Sequence, residues 1–434
     1  MSIRYSTYLA VILLFGAGAV ETSAAELDAT PAMQWNETVL RVAEGEDGFL
    51  TLRGLRTVTM MHLAMHDALT GIDGRFREYE YTGRIPQADP IAAVSQAAYV
   101  IAVDQYPQHE KEFALLRDRR IGTSSGDEKW RAGLELGNAA AQKILEDRDG
   151  DGWDTEAEYH WHPMAPGVYA EFNEHSGTPE GFVFGAGWGK ARGFALESAD
   201  QFRSPPPPGI ESDEYAEAFD EVRKLGRFQS LSRTPDQTHL ALWWKDFAEN
   251  SHNRLARDLI AKEELDLATA NRLFALLNMA IFDAYVSSFN NKFFYNHWRP
   301  YTAIRWAAND NNPKTMPEET WTNLHRHTYA FPSYPSAHGT ACAAAMSAFA
   351  DVLGDDYRFT MRTPMVDVAG PFSGKIEMHP ATRNFGRFSD AAMECALSRV
   401  YLGIHFRYDS TAGYELGRKI GANVVRRLPG ETVR

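Results

Sequence analysis

Apolar positions recur every three to four residues over 46–72, 90–122, 126–146, 234–290, 337–354, 388–404 and 409–427, the period of a helix with one buried face. Between them, residues 163–209, ending in SPPPPG, and 309–319, NDNNPKTMPEE, are rich in proline, glycine and polar residues and predict surface connections. The pattern predicts a mostly helical protein. An echo runs through it: Arg56, Ala64, Asp67 and Ala68 recur at one constant offset as Arg272, Ala280, Asp283 and Ala284. The repeat implies either two related helical halves or a shared small-residue packing motif. The halves differ in chemistry, because the positions offset from Lys292 and Arg299 hold Phe76 and Gly83.

With 434 residues, 44% of them hydrophobic, the chain can bury a large core. A net charge of −14, without a long basic run, excludes nucleic acid as the expected partner. Residues 1–25 have the form of a signal peptide, with Arg4, the apolar stretch YLAVILLFGAGAV and small residues before Ala24 and Ala25. The mature protein is therefore expected in the periplasm or outside the cell, an uncleaved anchor being the alternative. No later stretch approaches the ~18 uninterrupted apolar residues of a membrane span.

Three segments carry candidate chemistry. In KFFYNHWRP, Lys292 and Arg299 stand seven apart and share a face if the helix persists, with Pro300 marking a boundary. In FPSYPSAHGT, Ser336 is a candidate N-cap at a helix mouth whose free N–H groups and dipole favour an anion. In SRVYLGIHFRYD, Arg399 and His405 would point about 240° apart on one helix, so a shared ligand requires a break near Gly403. Asp409, four after His405, is placed to accept from one imidazole nitrogen and leave the other free to coordinate or attack. Singly, each feature has a bland explanation: a solvated cationic face, or a cap beside a core histidine. Together, one lysine, two arginines, a serine hydroxyl and backbone N–H groups describe a cage for a phosphate-like oxyanion, with a histidine on each side.

In this order, Lys-x6-Arg-Pro, Pro-Ser-x-His and Ser-Arg-x5-His-x3-Asp resemble the signature of the type 2 phosphatidic acid phosphatase and vanadium haloperoxidase superfamily. Residues 45–427, including SRTPDQTHLALWW, are similar to its soluble bacterial haloperoxidase-like branch. The resemblance implies an all-α fold of two four-helix bundles with long connecting loops: residues 26–230 in the N-terminal bundle and 231–434 in the C-terminal bundle with the active site. It implies vanadate, a phosphate isostere, bound to His405 as metal ligand, with His338 as acid/base and oxyanion contacts from Lys292, Arg299, Ser336, Ala337 and Arg399. Lys292 is also placed to polarise a bound peroxide oxygen, and Asp409 to support His405. Ala337 stands where the family usually has glycine, so its Cβ is expected to crowd the anion. Phe331 and Phe289 fall at halide-pocket positions, Phe289 replacing the tryptophan of fungal chloroperoxidases; core packing is the alternative for both.

The implied activity is oxidation of halide by hydrogen peroxide, with a small organic acceptor. The alternative is a secreted acid phosphatase acting on a phosphate monoester through a phosphohistidine at His405, and a further one is a non-catalytic oxyanion-binding protein. The haloperoxidase is preferred because similarity extends through the N-terminal half, which the shorter secreted phosphatases lack, and because the lipid phosphatases usually carry several membrane spans.

Residues 147–158, DRDGDGWDTEAE, fit a calcium loop through Asp147, Asp149, Asp151, Gly152 and Glu158. Asp154 at a normally apolar position and Pro163 in the exit helix favour an acidic surface loop instead. Cys342 and Cys395 each lie one turn from a site residue and are expected as buried free thiols rather than a disulfide. His62, His66, His325, His327 and His379 have no ligand spacing, and His297 reads most simply as a surface residue.

Overall fold

The computed structural model describes residues 27–47, 52–121, 127–370 and 373–431, so the signal-peptide segment lies outside the described residues. Fourteen α-helices occur among them: α1 (Thr30–Asp47), α2 (Leu52–Asp73), α3 (Pro90–Gln105), α4 (Glu110–Ile121), α5 (Glu128–Asp147), α6 (Asn173–Ser176), α7 (Asp213–Leu225), α8 (Pro235–Trp243), α9 (Ala248–Lys262), α10 (Leu267–Tyr295), α11 (Pro300–Trp306), α12 (Ala337–Leu353), α13 (Phe388–Leu402) and α14 (Arg407–Arg427). The period-based segments hold, with instructive breaks. Segment 90–122 divides at Pro107, which cannot donate to a helical ladder. Segment 234–290 becomes α8, α9 and α10, the last started by Asp266, whose carboxylate accepts from the N–H groups of Ala268 and Thr269.

Helices α1 and α7 are additions to that pattern: α1 buries one face that includes Ala32, Trp35, Asn36, Val39, Leu40 and Ala43, and α7 is started by Ser212 just beyond the proline run. The chain is also not wholly helical. Residues 359–385 form a nested antiparallel ribbon in which β1 (Phe359–Arg362) pairs with β4 (Thr382–Phe385) and β2 (Met365–Asp367) with β3 (Lys375–Glu377). The alternating burial of β1 shows why a two-residue period wins there.

At the centre lies α10, packed against α2, α9, α12 and α14. It is long and apolar enough to cross a membrane, yet it is buried inside the protein as the core helix. The main apolar cluster runs through both halves of the chain across α2 and α10. The sequence echo has a physical meaning. Asp67 accepts from the backbone N–H groups of Tyr79, Glu80 and Tyr81, and Asp283 accepts from those of Phe194, Ala195 and Leu196. Arg56 donates to the Arg148 carbonyl at the end of α5, and Arg272 to the Leu428 carbonyl at the end of α14. Each aspartate is buried and held above the ordinary carboxylate range, at about 6, by desolvation.

The calcium expectation is not supported. Asp151 gives its carboxylate to Arg56 and Arg148, both at 2.7 Å, so two cations already occupy the place of the ion. Residues 152–172 contain no helix to complete the motif. The cysteine expectation is corrected: Cys342 and Cys395 form a disulfide with Cα atoms 6.5 Å apart. Small residues allow it, since a Cβ on Gly339 of α12 would lie 3.2 Å from Ala396 Cβ of α13.

Replacing Asp67 or Asp283 by Asn exchanges one accepting oxygen for an NH2 group that faces a backbone N–H donor. Each single change is expected to cost about 2–3 kcal/mol. Urea unfolding of the two variants measures this, and a near-zero effect in one of them would deny that the pair has equivalent roles.

Candidate functional site

Lys292 and Arg299 do not share one helix. Helix α10 ends at Tyr295, Asn296 takes a left-handed conformation (φ 50°), and Arg299 is the N-cap of α11. The loop 331–333 brings them together instead. Lys292 Nζ donates to the carbonyls of Pro332 (3.0 Å) and Ser333 (2.7 Å), leaving one of its three N–H bonds uncommitted there. Arg299 donates from Nε to the Phe331 carbonyl (2.9 Å) and from Nη1 to the Ile404 carbonyl (2.9 Å).

Ser336 caps α12 as expected, its Oγ accepting from the Gly339 N–H at 3.2 Å. Its own O–H proton remains available for an acceptor at the helix mouth. The predicted break between Arg399 and His405 is present: α13 ends at Leu402 and Gly403 adopts φ 84°. His405 Nδ1 donates to Asp409 Oδ2 at 3.0 Å, which fixes the tautomer and leaves the Nε2 lone pair facing Arg299 Nη1 at 3.1 Å. Asp409 Oδ2 also accepts from the Phe406 N–H and the Ser333 hydroxyl. Arg399 Nη2 donates to the Trp244 carbonyl at 2.9 Å, and His338 hydrogen-bonds the same carbonyl.

Close helix packing assembles these parts. Gly413 and Gly417 of α14 face α12 so tightly that a Cβ would lie 2.5 Å from the Ser336 carbonyl and 2.2 Å from that of Thr340. The Ser336 N–H donates to the Asp409 carbonyl at 2.9 Å, tying the two helix starts together. The disulfide joins α12 one turn after His338 to α13 one turn before Arg399.

Lys292, Arg299, Ser336, Arg399, His405 and Asp409 are all buried. Three cations therefore face one carboxylate. Desolvation, then Arg299, pulls the Lys292 ammonium well below its ordinary range, and desolvation pushes the Asp409 carboxyl up. Both histidines are held neutral, chiefly by burial, with Arg299 and Lys292 acting next on His405 and Arg399 next on His338. Three buried atoms of the site, Arg299 Nη2, His338 Nε2 and Asp409 Oδ1, have no hydrogen-bond partner. A tetrahedral oxyanion fits this arrangement: it would accept from the unpaired guanidinium N–H, the third lysine N–H and the serine hydroxyl, and restore charge balance.

Beside this cage lies a cavity of about 550 Å³. His338, His405, Arg399, Ala337, Phe331 and Phe289 line it. The Phe331 ring lies beneath Arg299 (4.7 Å to Cζ) and Lys292 (5.2 Å to Nζ), and 5.1 Å from Phe289. Both aromatics also join the large apolar cluster, so their packing and lining roles coincide.

Sequence reasoning missed Ser333, the Trp244 carbonyl, Trp188 and the Lys245–Glu249 turn. Only the four-residue spacing of Gly413, Gly417 and Gly421 could have announced the α12–α14 contact. His297 is corrected from surface to buried, its Nε2 lying 2.7 Å from the Tyr408 hydroxyl. His62 and His66 are satisfied core residues, and His379 is exposed. His325 is buried without a partner on either nitrogen, and His327 lines the cavity.

Residues 272–430 match the family model described as the VCPO second helical-bundle domain. Vanadium chloroperoxidase of Curvularia inaequalis is 27% identical over 279 residues, 51% of this chain and 45% of the relative, so the chain spans less than half the length of that curated protein. Among solved structures, the first bacterial vanadium-dependent iodoperoxidase superposes with a TM-score of 0.75 at 20% identity, over 94% of this chain and 98% of that one. A holo-type bacterial vanadium-dependent chloroperoxidase superposes with a TM-score of 0.65 at 16% identity, over 86% and 90%. At these identities the structural likeness concerns the fold.

Asp409→Asn removes the acceptor that sets the His405 tautomer. Orthovanadate binding by the full chain, followed by titration calorimetry, is expected to weaken about 10- to 100-fold. Unchanged affinity would remove Asp409 from this role.

Proposed function

We propose that this chain, whose residues 272–430 match the VCPO second helical-bundle domain, is a vanadate-dependent haloperoxidase of the vanadium haloperoxidase and type 2 phosphatidic acid phosphatase superfamily. The observation that carries the proposal is the buried cage of Lys292, Arg299, Ser336 and Arg399 around a neutral His405, opening directly on an aromatic-lined cavity. Vanadate held there would act as a Lewis acid that activates hydrogen peroxide for two-electron oxidation of a halide.

The protein's own groups have separable tasks. His405 Nε2, with its lone pair turned into the cage by the Asp409 hydrogen bond, is the metal ligand. The two arginines and the lysine hold the oxyanion oxygens, and the carbonyl clamp at 331–333 keeps Lys292 and Arg299 from folding away. His338 is neutral, oriented through the Trp244 carbonyl, with Nε2 on the cavity side to take a proton from entering peroxide. An oxyanion beside it raises its basicity toward the ordinary histidine range. Phe331 and Phe289 keep the cavity side apolar and weaken the hydration of an arriving halide.

The signal-like leader and the Cys342–Cys395 disulfide support a periplasmic or secreted setting.

Purified protein is expected to oxidise iodide or bromide only when both vanadate and peroxide are supplied. His338→Ala should lower kcat by about 10²- to 10⁴-fold while vanadate affinity stays close to wild type. Hydrolysis of a phosphate monoester by vanadate-free protein, with no halide oxidation, would establish the phosphohistidine alternative. Neither activity would leave an oxyanion-binding protein.

A further inference from the structure

Peroxide and one halide occupy on the order of 100 Å³, a few times the ~30 Å³ of a water molecule. The cavity is several times larger, at about 550 Å³. Its walls have an order. Starting from Phe331 beneath Lys292 and Arg299, ring follows ring: Phe331 contacts Phe289 (5.1 Å between centroids), Phe289 contacts Trp188 (4.8 Å), and Trp188 contacts Tyr285 (5.8 Å). The strip ends at a polar pair, where the Tyr285 hydroxyl donates to Glu249 Oε2 at 2.6 Å. Glu249 is 3% exposed yet lines the cavity, as does Lys245, four residues before it in the connection between α8 and α9.

We propose that this cavity seats the organic acceptor of the halogenation, a planar one- or two-ring aromatic bearing a hydroxyl group. Its ring lies against Phe289 and Trp188, and its hydroxyl bonds the Glu249–Tyr285 pair. The assignment rests on the haloperoxidase reading and deepens it by naming the acceptor class.

Three features select that class. Aromatic faces along one wall favour a flat ring over an aliphatic chain. Lys245 and Arg399, buried cations on the same cavity, oppose an ammonium-bearing ligand and tolerate a neutral phenol or its anion. Glu249 gives the hydroxyl a partner, and desolvation that lifts its carboxyl to about 7 lets it accept or donate near neutrality. The reaction balances. The ring C–H bond is replaced by a carbon–halogen bond, and the halide gives two electrons to peroxide, whose O–O bond breaks. The ring proton and one solvent proton leave with the peroxide atoms as two water molecules. Holding the ring in the cavity directs the halogen to one ring position, which a freely diffusing hypohalous acid does not.

The probe pair is 1-naphthol and naphthalene, followed by quenching of tryptophan fluorescence in the full chain without vanadate. Wild type is expected to bind both. Glu249→Leu should weaken 1-naphthol about tenfold and leave naphthalene unchanged, which also shows the variant is folded; Trp188→Ala should weaken both about tenfold. Failure of wild type to bind 1-naphthol, or equal effects of Glu249→Leu on both probes, overturns the proposal. In turnover with bromide, peroxide and vanadate, the ratio of ring isomers from 1-naphthol is expected to differ from that given by free hypobromous acid. An identical ratio also overturns it. Absence of bromide oxidation defeats the haloperoxidase reading, whereas the binding measurements judge the cavity independently.

Discussion

The structure depends on keeping Lys292, Arg299 and Arg399 charged in a place without water. A desolvated cation is stable only with partners, and one nearby carboxylate, Asp409, cannot serve three. The chain solves part of the problem with backbone carbonyls: Phe331, Pro332 and Ser333 supply three, Ile404 and Trp244 one each. Carbonyls stabilise the cations without neutralising them, so the net positive field survives. That field favours an oxyanion, and it adds to burial in keeping both histidines neutral, as the proposed ligand and proton acceptor must be.

Such a field needs rigid walls, and these come from small residues. Gly413 and Gly417 let α14 touch the first turn of α12, bringing Asp409 to Ser336. Gly403 ends α13 so that Arg399 and His405 can face one point from opposite sides of a helix break. The disulfide fixes α12 to α13 one turn from His338 and Arg399. Each device stands behind the side chains of the cage, the disulfide sulfurs within 4.8 Å of a His338 ring nitrogen, and holds the helix starts that carry them.

How much of this was legible depended on the range of the interaction. Periodicity placed the long helices because burying one face is a local pattern. The Ser336 cap, the Gly403 break and the His405–Asp409 pair were also legible, since all act within one turn of chain. The loop clamp was not, because carbonyls carry no side-chain signature and any residue at 331–333 could donate them. Nor was the separation of Lys292 from Arg299 by Asn296, where tertiary contacts override a plausible heptad. Burial of His297 and pairing of the cysteines likewise depend on which helices become neighbours, information that spacing alone does not hold. The pairing of Asp151 has the same origin: Arg56 claims that carboxylate from another helix.

The echo between Asp67 and Asp283 connects the two halves of the chain to the site. Asp283 sits on α10, two turns before Lys292, and holds the backbone N–H groups of Phe194, Ala195 and Leu196. That grip fixes the end of the long proline- and glycine-rich connection whose earlier part carries Phe184 and Trp188. Gly189 of the same connection packs so closely on α10 that a Cβ would lie 2.7 Å from Asn290 backbone atoms. A buried aspartate in the first half secures residues 79–81, whereas its counterpart secures residues 194–196, a few residues after Trp188 of the cavity lining. One inherited or convergent packing device has thus been put to two uses, and only in α10, the helix that also bears Lys292, does it lie near the site. The 163–209 connection is therefore part of the site: its conformation is set by a carboxylate in the core, and its aromatics face the oxyanion cage across the space an acceptor would occupy.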